Sequence, residues 1–76
     1  MKQNIRALIY PDGDGYVVEI PDVKAVTQGD TIEDALANAK EAIALALDGE
    51  NPAEFGLAPD PSLIVTIELG PLSHAV

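Results

Sequence analysis

The sequence predicts an α+β domain of order β-β-β-α-β, with one helix packed on one face of a small, mainly antiparallel sheet. Three observations support this fold class. Apolar residues recur at every second position in Asn4–Tyr10 and Tyr16–Ile20, as they do in strands with one buried face. Between Thr31 and Asp48 they recur at helical spacing. Alternation then returns in Leu63–Leu69, which predicts a last strand after the helix.

The first two strands are predicted to form a hairpin. Pro11–Gly15 between them is rich in residues that tolerate positive φ, which is typical of hairpin loops. Pro21 and Asp22 then turn the chain. The stretch Val23–Gln28 is predicted as a weaker third strand, and Gly29 permits the bend from strand to helix.

The helix begins and ends at residues typical of helix caps. Thr31 is the expected N-cap, with Asp34 completing a shortened capping box, and Asp30 with Glu33 is the alternative. Gly49 supplies the C-cap position. The apolar stripe consists of Ile32, Ala35, Leu36, Ala39, Ile43, Ala46 and Leu47.

Leu45 falls outside this apolar stripe. At about 100° per residue it lies between Asn38 and Glu41, on the polar side of the helix. It is an exposed leucine of the ordinary kind, a residue covered by the following loop, or a contact for a partner. The sequence leaves these three interpretations open.

A proline-containing loop and the last strand complete the domain. Three prolines and Gly56 predict a loop over Glu50–Ser62, with Phe55 and Leu57 held against the core. The odd-numbered residues of Leu63–Leu69 are expected to face the helix. The domain is therefore placed at residues 1–70 and a tail at 71–76, and no DNA-binding domain is expected.

The charge balance restricts the possible partners. Thirteen acidic residues oppose four Lys and Arg in 76 residues, so the net charge is −9. Phosphate binding depends on Lys and Arg, so the composition argues against direct nucleic-acid binding by this chain alone and against anionic membranes. It favours a basic protein partner. No apolar run approaches the ~20 residues of a membrane span, and a cytoplasmic location is expected.

Self-association is expected because a core of this size leaves little net stability and the chain has no cysteine for a disulfide. A homodimer or homotetramer is therefore predicted. The sheet face away from the helix is too apolar to be fully wetted, since it would carry Arg6, Leu8, Tyr10, Val17, Glu19, Ile64, Thr66 and Glu68. The predicted self-association residues on that face are Leu8, Tyr10, Val17 and Ile64.

The candidate metal-binding and catalytic residues are better explained by structural roles. Asp12–Gly15 is similar to the start of a calcium loop, but the twelfth position is Val23 instead of glutamate, so a turn is favoured. His74 is the only histidine and has no second ligand beside it. The acids Asp12, Asp14, Glu19 and Asp22 favour a solvated rim over a metal-dependent nuclease site. No enzyme activity, no cofactor and no metal site are expected.

Three segments in succession resemble the N-terminal domain of HicB antitoxins. They are a Gly-Tyr strand ending in Pro-Asp (15–22), a Gly-Asp-Thr helix start (29–31), and a Glu-Asp-Ala-Leu helix that continues through Ala39 and Ala42. The resemblance covers Tyr10 to about Leu47, roughly half of the chain. It implies a partial ribonuclease H fold without a working catalytic centre.

The resemblance also implies a function. HicB-like domains bind and block a small basic toxin, HicA, which cleaves messenger RNA. The prediction is therefore a short stand-alone HicB-like antitoxin, and the alternative is a non-enzymatic, homo-oligomeric scaffold domain without a toxin. The predicted contacts with the toxin are acidic positions and one apolar anchor, namely Asp12, Asp14, Glu33, Asp34, Glu41, Asp48 and Leu45.

Overall fold

A computed structural model describes residues 1–72 of the chain, so His74 and most of the predicted tail lie outside the described residues. Three strands, one α-helix and a fourth strand follow one another, with short 3-10 helices at Pro21–Val23 and Pro52–Phe55. The main elements are β1 Lys2–Asp12, β2 Gly15–Ile20, β3 Ala25–Gly29, α1 Ile32–Leu47 and β4 Leu57–Ile67. The predicted order β-β-β-α-β is confirmed.

The four strands form one mixed sheet in the order β3-β2-β1-β4. β1 pairs antiparallel with β2, and β2 pairs antiparallel with β3. β4 returns beside β1 and runs parallel to it. The sheet is therefore mainly antiparallel, as predicted, and its single parallel pair follows from the crossover through α1.

The core lies between α1 and the inner face of the sheet. α1 packs mainly on β3 and β2. Ala35 and Ala39 of the predicted stripe are fully buried, and their small side chains let the helix lie close to the strands. The buried core residues of the described chain are Ile5, Ala7, Ile9, Val18, Ile20, Val23, Ala35, Ala39 and Leu57.

The predicted N-cap of α1 is confirmed, whereas the predicted C-cap at Gly49 is one residue late, because Asp48 is the C-cap. The Asp34 N–H donates to Thr31 Oγ1 at 3.0 Å, and Thr31 has the extended backbone of an N-cap. The helix ends at Leu47, and Gly49 adopts a φ of +71°, the left-handed conformation that follows many helices.

The hairpin between β1 and β2 is tighter than predicted. The loop prediction over Pro11–Gly15 is wrong at its ends, because Pro11 pairs with Tyr16 and Asp12 pairs with Gly15. Only Gly13 and Asp14 form the turn, and Gly13 has a φ of +60°. Two-residue turns with positive φ match the twist of the flanking strands, so the strands continue to the tip.

The third strand starts later than predicted. Val23 is the last residue of a 3-10 helix that begins at Pro21, and its side chain is buried in the core. Lys24 then takes a left-handed φ of +54°, and β3 begins at Ala25. The prediction over Val23–Gln28 is therefore wrong at its start, because Val23 contributes to the core from a turn.

The loop prediction over Glu50–Ser62 is wrong from Leu57 onward, because β4 begins there. The pairing with β1 shifts from Lys2 opposite Leu57 to Asn4 opposite Ser62, so β4 bulges between them. Phe55 and Leu57 do contact the core, as predicted. At the other end β4 stops at Ile67, and Leu69 is exposed instead of facing the helix.

No helix within residues 1–72 combines the length and the apolar character that crossing a membrane requires.

Candidate functional site

One end of the sheet collects acidic side chains, and we call it the acidic end. The hairpin tip carries Asp12 and Asp14, and Tyr16 of β2 lies opposite Gly29, the last residue of β3. α1 starts immediately after β3, so its first turn lies beside the hairpin. The acidic end therefore consists of Asp12, Asp14, Asp30, Glu33 and Asp34.

Two glycines allow the hairpin, β3 and α1 to meet there. A Cβ at Gly29 would clash with the backbone nitrogen of Ala35, and a Cβ at Gly15 would lie 2.8 Å from the Gly29 carbonyl oxygen. Gly29 is not among the glycines with positive φ. The predicted bend is therefore not its reason, since the position needs a residue without a side chain.

The acidic side chains line adjoining clefts on this end. Asp14, Asp30 and Glu33 line a cleft of about 470 Å³ together with Tyr16. Asp12 and Asp30 line a second cleft, and Asp30 and Asp34 line a third. No Lys or Arg is among the residues that line these three clefts. The surface therefore presents negative charge to any partner that approaches it.

Asp30 is a member of this surface that the sequence analysis did not include. It lines all three clefts, because it lies in the short connection between β3 and α1. From the sequence, Asp30 is predicted only as an alternative helix cap and as part of the Gly-Asp-Thr motif at residues 29–31. Its position in a connection between a strand and a helix could have predicted this, since such connections lie on the surface.

Glu41 and Leu45 line a separate groove between α1 and β3, which we call the helix groove. Thr27, Gln28 and Asn38 complete most of its wall. Leu45 is 69% exposed, so the interpretation that a loop covers it is wrong. The Asn38 side chain closes part of the groove, because its Nδ2 donates to the Gln28 carbonyl oxygen at 2.6 Å.

Asp48 lies at the opposite end of α1 from the acidic end, three residues after Leu45. It is the C-cap of α1, whereas Glu33 and Asp34 are in the first turn. A 16-residue helix is about 24 Å long at ~1.5 Å per residue. The structure therefore separates the predicted contacts into the acidic end, the helix groove, and Asp48 at the end of α1.

Glu19 and Asp22 serve the fold and are not part of the acidic end. The Tyr10 hydroxyl donates to Glu19 Oε2 at 2.6 Å, and this hydrogen bond raises the pKa of Tyr10. Asp22 accepts from Lys2 Nζ at 2.7 Å and from the Arg6 backbone N–H at 2.8 Å. These two bonds lower the pKa of Asp22. Each carboxylate thus ties neighbouring segments of the sheet together.

The four predicted self-association residues share the outer face of the sheet. In the register, Tyr10 lies opposite Val17, and the neighbouring pair Arg6 and Ile64 joins β1 to β4. Leu8 and Ile64 are partly exposed, at 37% and 41%. Tyr10 and Val17 are half-buried. What this face contacts stays a prediction.

Across residues 1–72, no three His, Cys, Asp or Glu side chains are grouped so that they could hold a metal ion.

Comparison with known proteins finds a partial match to a phage protein. A stretch of 37 residues is 51% identical to an uncharacterized 14.9 kDa protein in the rep-hol intergenic region of Haemophilus phage HP1 (strain HP1c1). The match covers 47% of this chain and 28% of the phage protein, so the chain spans well under half of that relative. No family model matches the chain. No solved structure matches it significantly, and the ribonuclease H likeness stays a prediction.

Proposed function

We propose that this domain is a HicB-like antitoxin module that binds and neutralises a small basic toxin that cleaves messenger RNA in the cytoplasm. The observation that carries the proposal is the acidic end, where five carboxylates line adjoining clefts with no cation among the lining residues. A basic nuclease needs its cationic groups to hold RNA, so a surface that covers them would block its substrate.

Electrostatics supports a role in recognition. The chain carries a net charge of −9, and three of its four Lys and Arg residues occur before β3, at positions 2, 6 and 24. The N-terminus of α1 carries partial positive charge, which makes its acidic first turn tolerable in the free domain. A basic partner would be attracted over about one Debye length, ~10 Å at 0.1 M salt.

The helix groove supplies an apolar contact beside these charges. Leu45 is exposed within a wall that also includes Glu41 and Ala42. Apolar anchors within a polar rim contribute most of the affinity in many protein interfaces. Leu45 is therefore the proposed anchor, and Glu41 is the nearest acidic contact.

The HicB-like motif residues have structural roles near this surface. Gly15 and Gly29 allow the close approach of hairpin, β3 and α1. Thr31 caps the helix that carries Glu33 and Asp34. A motif that builds this end supports the proposal, because the resemblance and the charge point to the same part of the molecule.

The test is inhibition of RNA cleavage by the small basic protein encoded beside this chain. Titration of the purified domain should inhibit cleavage stoichiometrically, and inhibition should weaken as salt rises. Charge reversal of Asp14 and Glu33 to lysine should slow association about tenfold at low salt. Absence of both binding and inhibition would overturn the proposal.

A matched control distinguishes an effect of the acidic end on the association rate from an effect of the net charge. Lysine substitution of Glu50 and Glu54 changes the charge equally, but in the segment that follows α1, outside the acidic end and the helix groove. We expect a smaller effect on the association rate than for Asp14 and Glu33. Equal slowing by both pairs would show that net charge alone drives association, and would remove the acidic end from the proposal.

The alternative, a homo-oligomeric scaffold without a toxin, draws support from the outer sheet face. Leu8, Ile64 and Val26 leave exposed apolar surface there, and Val26 is 72% exposed. Absence of a neighbouring gene for a short basic protein would favour this alternative.

A further inference from the structure

The free edge of β4 presents an ordered row of unpaired backbone groups. The Glu68 N–H donates to the Ile9 carbonyl oxygen at 2.8 Å, so Glu68 directs its backbone toward β1. In a parallel ladder every second residue has this direction. Ile64 and Thr66 therefore also face β1, while Leu63, Val65 and Ile67 direct their N–H and C=O groups away from the sheet.

This edge lacks the usual protection against strand pairing. Leu63–Ile67 contains no charge, proline or glycine, and four of its five residues are β-branched. The first half of β4 is different, because Pro59 and Pro61 and the bulge interrupt it. The open part of the edge is therefore the uncharged segment 63–67, in a chain whose net charge is −9.

The opposite edge of the sheet is protected. β3 has only five residues, and the Gln28 carbonyl oxygen, which points off that edge, accepts from Asn38 of α1. An incoming strand would have to displace this side chain. Of the two edges in residues 1–72, β4 is the one open to a further strand.

We propose that the β4 strands of two copies pair antiparallel around a two-fold axis at Val65, which joins the two sheets into one of eight strands. Val65 then faces Val65 of the second copy, and Leu63 faces Ile67. The outward N–H groups of these three residues in both copies donate six hydrogen bonds in this register. Ile64 lies opposite Thr66 on the outer face, as a β-branched cross-strand pair.

Charge and closure identify a second copy as the occupant. In this register Glu68 lies opposite Ser62 and Asp60 lies opposite Gly70, so no two carboxylates face each other. The antiparallel arrangement points the two acidic ends in opposite directions. It also leaves only the two protected β3 edges exposed, whereas a foreign strand would bring an open edge of its own.

This inference does not rest on the proposed function. Pairing uses the β4 edge, whereas the acidic end and the helix groove lie on the hairpin, β3 and α1. Failure to dimerise would leave inhibition of a toxin untouched, and failure to inhibit would leave the dimer untouched.

The test compares the mass of the wild-type chain with that of Val65→Pro by sedimentation equilibrium. The wild type should have twice the monomer mass of 8.0 kDa, and Val65→Pro should have the monomer mass with its far-ultraviolet circular dichroism retained. The Val65 N–H points away from β1, so proline removes a bond between copies without removing one within the sheet. A monomeric wild type or a dimeric Val65→Pro would overturn the proposal.

Two controls exclude other interfaces. Val26→Pro makes the same change on the β3 edge, where the Val26 N–H also points outward, and should remain dimeric. Leu8→Glu places a charge on the outer face and should also remain dimeric. If Leu8→Glu or Val26→Pro yields the monomer while Val65→Pro does not, the outer face or the β3 edge is the interface and the proposal fails.

Amide hydrogen exchange on the wild type gives a readout that needs no variant. The amides of Leu63, Val65 and Ile67 should exchange slowly at high protein concentration. On dilution their exchange rate should rise in proportion to the fraction of monomer. Rapid exchange of all three at every concentration would overturn the proposal, even if Val65→Pro failed to fold.

Discussion

The two ends of the sheet differ in how their polar groups are partnered. At the end where β1 begins, Asp22 accepts two hydrogen bonds, from Lys2 and from the Arg6 backbone, and Asn4 donates to Ser62. At the acidic end, no side-chain hydrogen bond or ion pair to another residue of the range 1–72 is formed by Asp12, Asp14, Asp30 or Glu33. Carboxylates at one end therefore hold the fold, while those at the other remain available to a partner.

The Lys2–Asp22 ion pair shows why the first end is structural. Lys2 is in β1, and Asp22 lies in the 3-10 helix after β2, beyond the point where β2 pairs with β1. The Asp22 carboxylate accepts the Arg6 N–H that lacks a β2 partner there. A backbone donor without a strand partner is thereby satisfied by a side chain, which gives the Asp of the Pro-Asp turn a structural role.

The largest expected change in the free energy of unfolding comes from a steric clash at the acidic end. Gly29→Ala would place a Cβ against backbone atoms of α1, which cannot move as a side chain does. We expect the free energy of unfolding to fall by about 3 kcal/mol, measured by urea titration. Gly13→Ala is the matched control, because its Cβ meets nothing within 4 Å and only its positive φ is strained, at about 1 kcal/mol. Equal losses would contradict the steric explanation.

The comparison of the two ends predicts unequal effects of neutralising a carboxylate. Asp22→Asn removes charged hydrogen bonds and should lower the free energy of unfolding by about 1–2 kcal/mol. Asp14→Asn, at the acidic end, should change it by less than about 0.5 kcal/mol. Chemical denaturation of both variants at neutral pH makes the comparison. If Asp14→Asn lowered the free energy of unfolding more than Asp22→Asn, the acidic end would be the one that holds the fold, and the assignment would be wrong.

The contribution of the Asp22 carboxylate to the free energy of unfolding should depend on pH. Its pKa lies below the ordinary value of 3.8, first because Lys2 donates to it and then because the Arg6 N–H does. Stability from a lowered pKa is present above the unfolded value and lost as pH falls through the folded value. The difference between wild type and Asp22→Asn should therefore be largest near neutral pH and shrink as the pH falls below 3.8. A constant difference across this range would show that packing is the cause.

Loss of the helix cap should have a smaller effect. Thr31→Ala removes the acceptor for the Asp34 N–H and should lower the free energy of unfolding by about 1 kcal/mol. Thr31→Ser keeps the hydroxyl and should retain most of the stability. If both variants lost the same amount in urea titrations, the Thr31 methyl group would be responsible instead of the cap.

The smallest expected effect is a change in the pKa of Tyr10. The pKa of Tyr10 is raised from 10.0, chiefly by its hydrogen bond to Glu19. A raised pKa means that this contribution to stability is present below the unfolded value and lost as pH rises through the folded value. Glu19→Ala removes the acceptor and should bring the phenolate transition of Tyr10 back toward 10.0 in an ultraviolet absorbance titration. An unmoved transition would contradict the assigned cause.

Local patterns predicted the helix and the central strands well. The apolar stripe of α1 and its Thr31 cap are found as predicted, because helix formation and capping depend on residues within one or two turns. The pattern in β2 also matches, with Val18 and Ile20 in the core. Of the candidate site, the sequence correctly placed acids at the hairpin tip and the start of α1.

Other features depended on contacts between distant segments. Prolines 59 and 61 predicted a loop, yet they lie in β4, since Pro61 falls at a position whose N–H would face the free edge and is not needed by β1. Gly29 was given a conformational reason, whereas its closeness to Ala35 is a matter of packing. Asp48 was grouped with Glu33 and Asp34, which lie at the other end of α1.

By itself the sequence determined the α+β class, the order of elements, the helix with its cap, and the excess of acidic charge. The tertiary structure alone decided that β4 lies parallel beside β1, that its edge is open while Asn38 occupies the Gln28 carbonyl on the β3 edge, and which acids share one surface. The physical reason is the range of the forces involved. Periodicity and capping act between neighbours in sequence, whereas strand pairing and charge grouping require segments that are distant in the chain to meet.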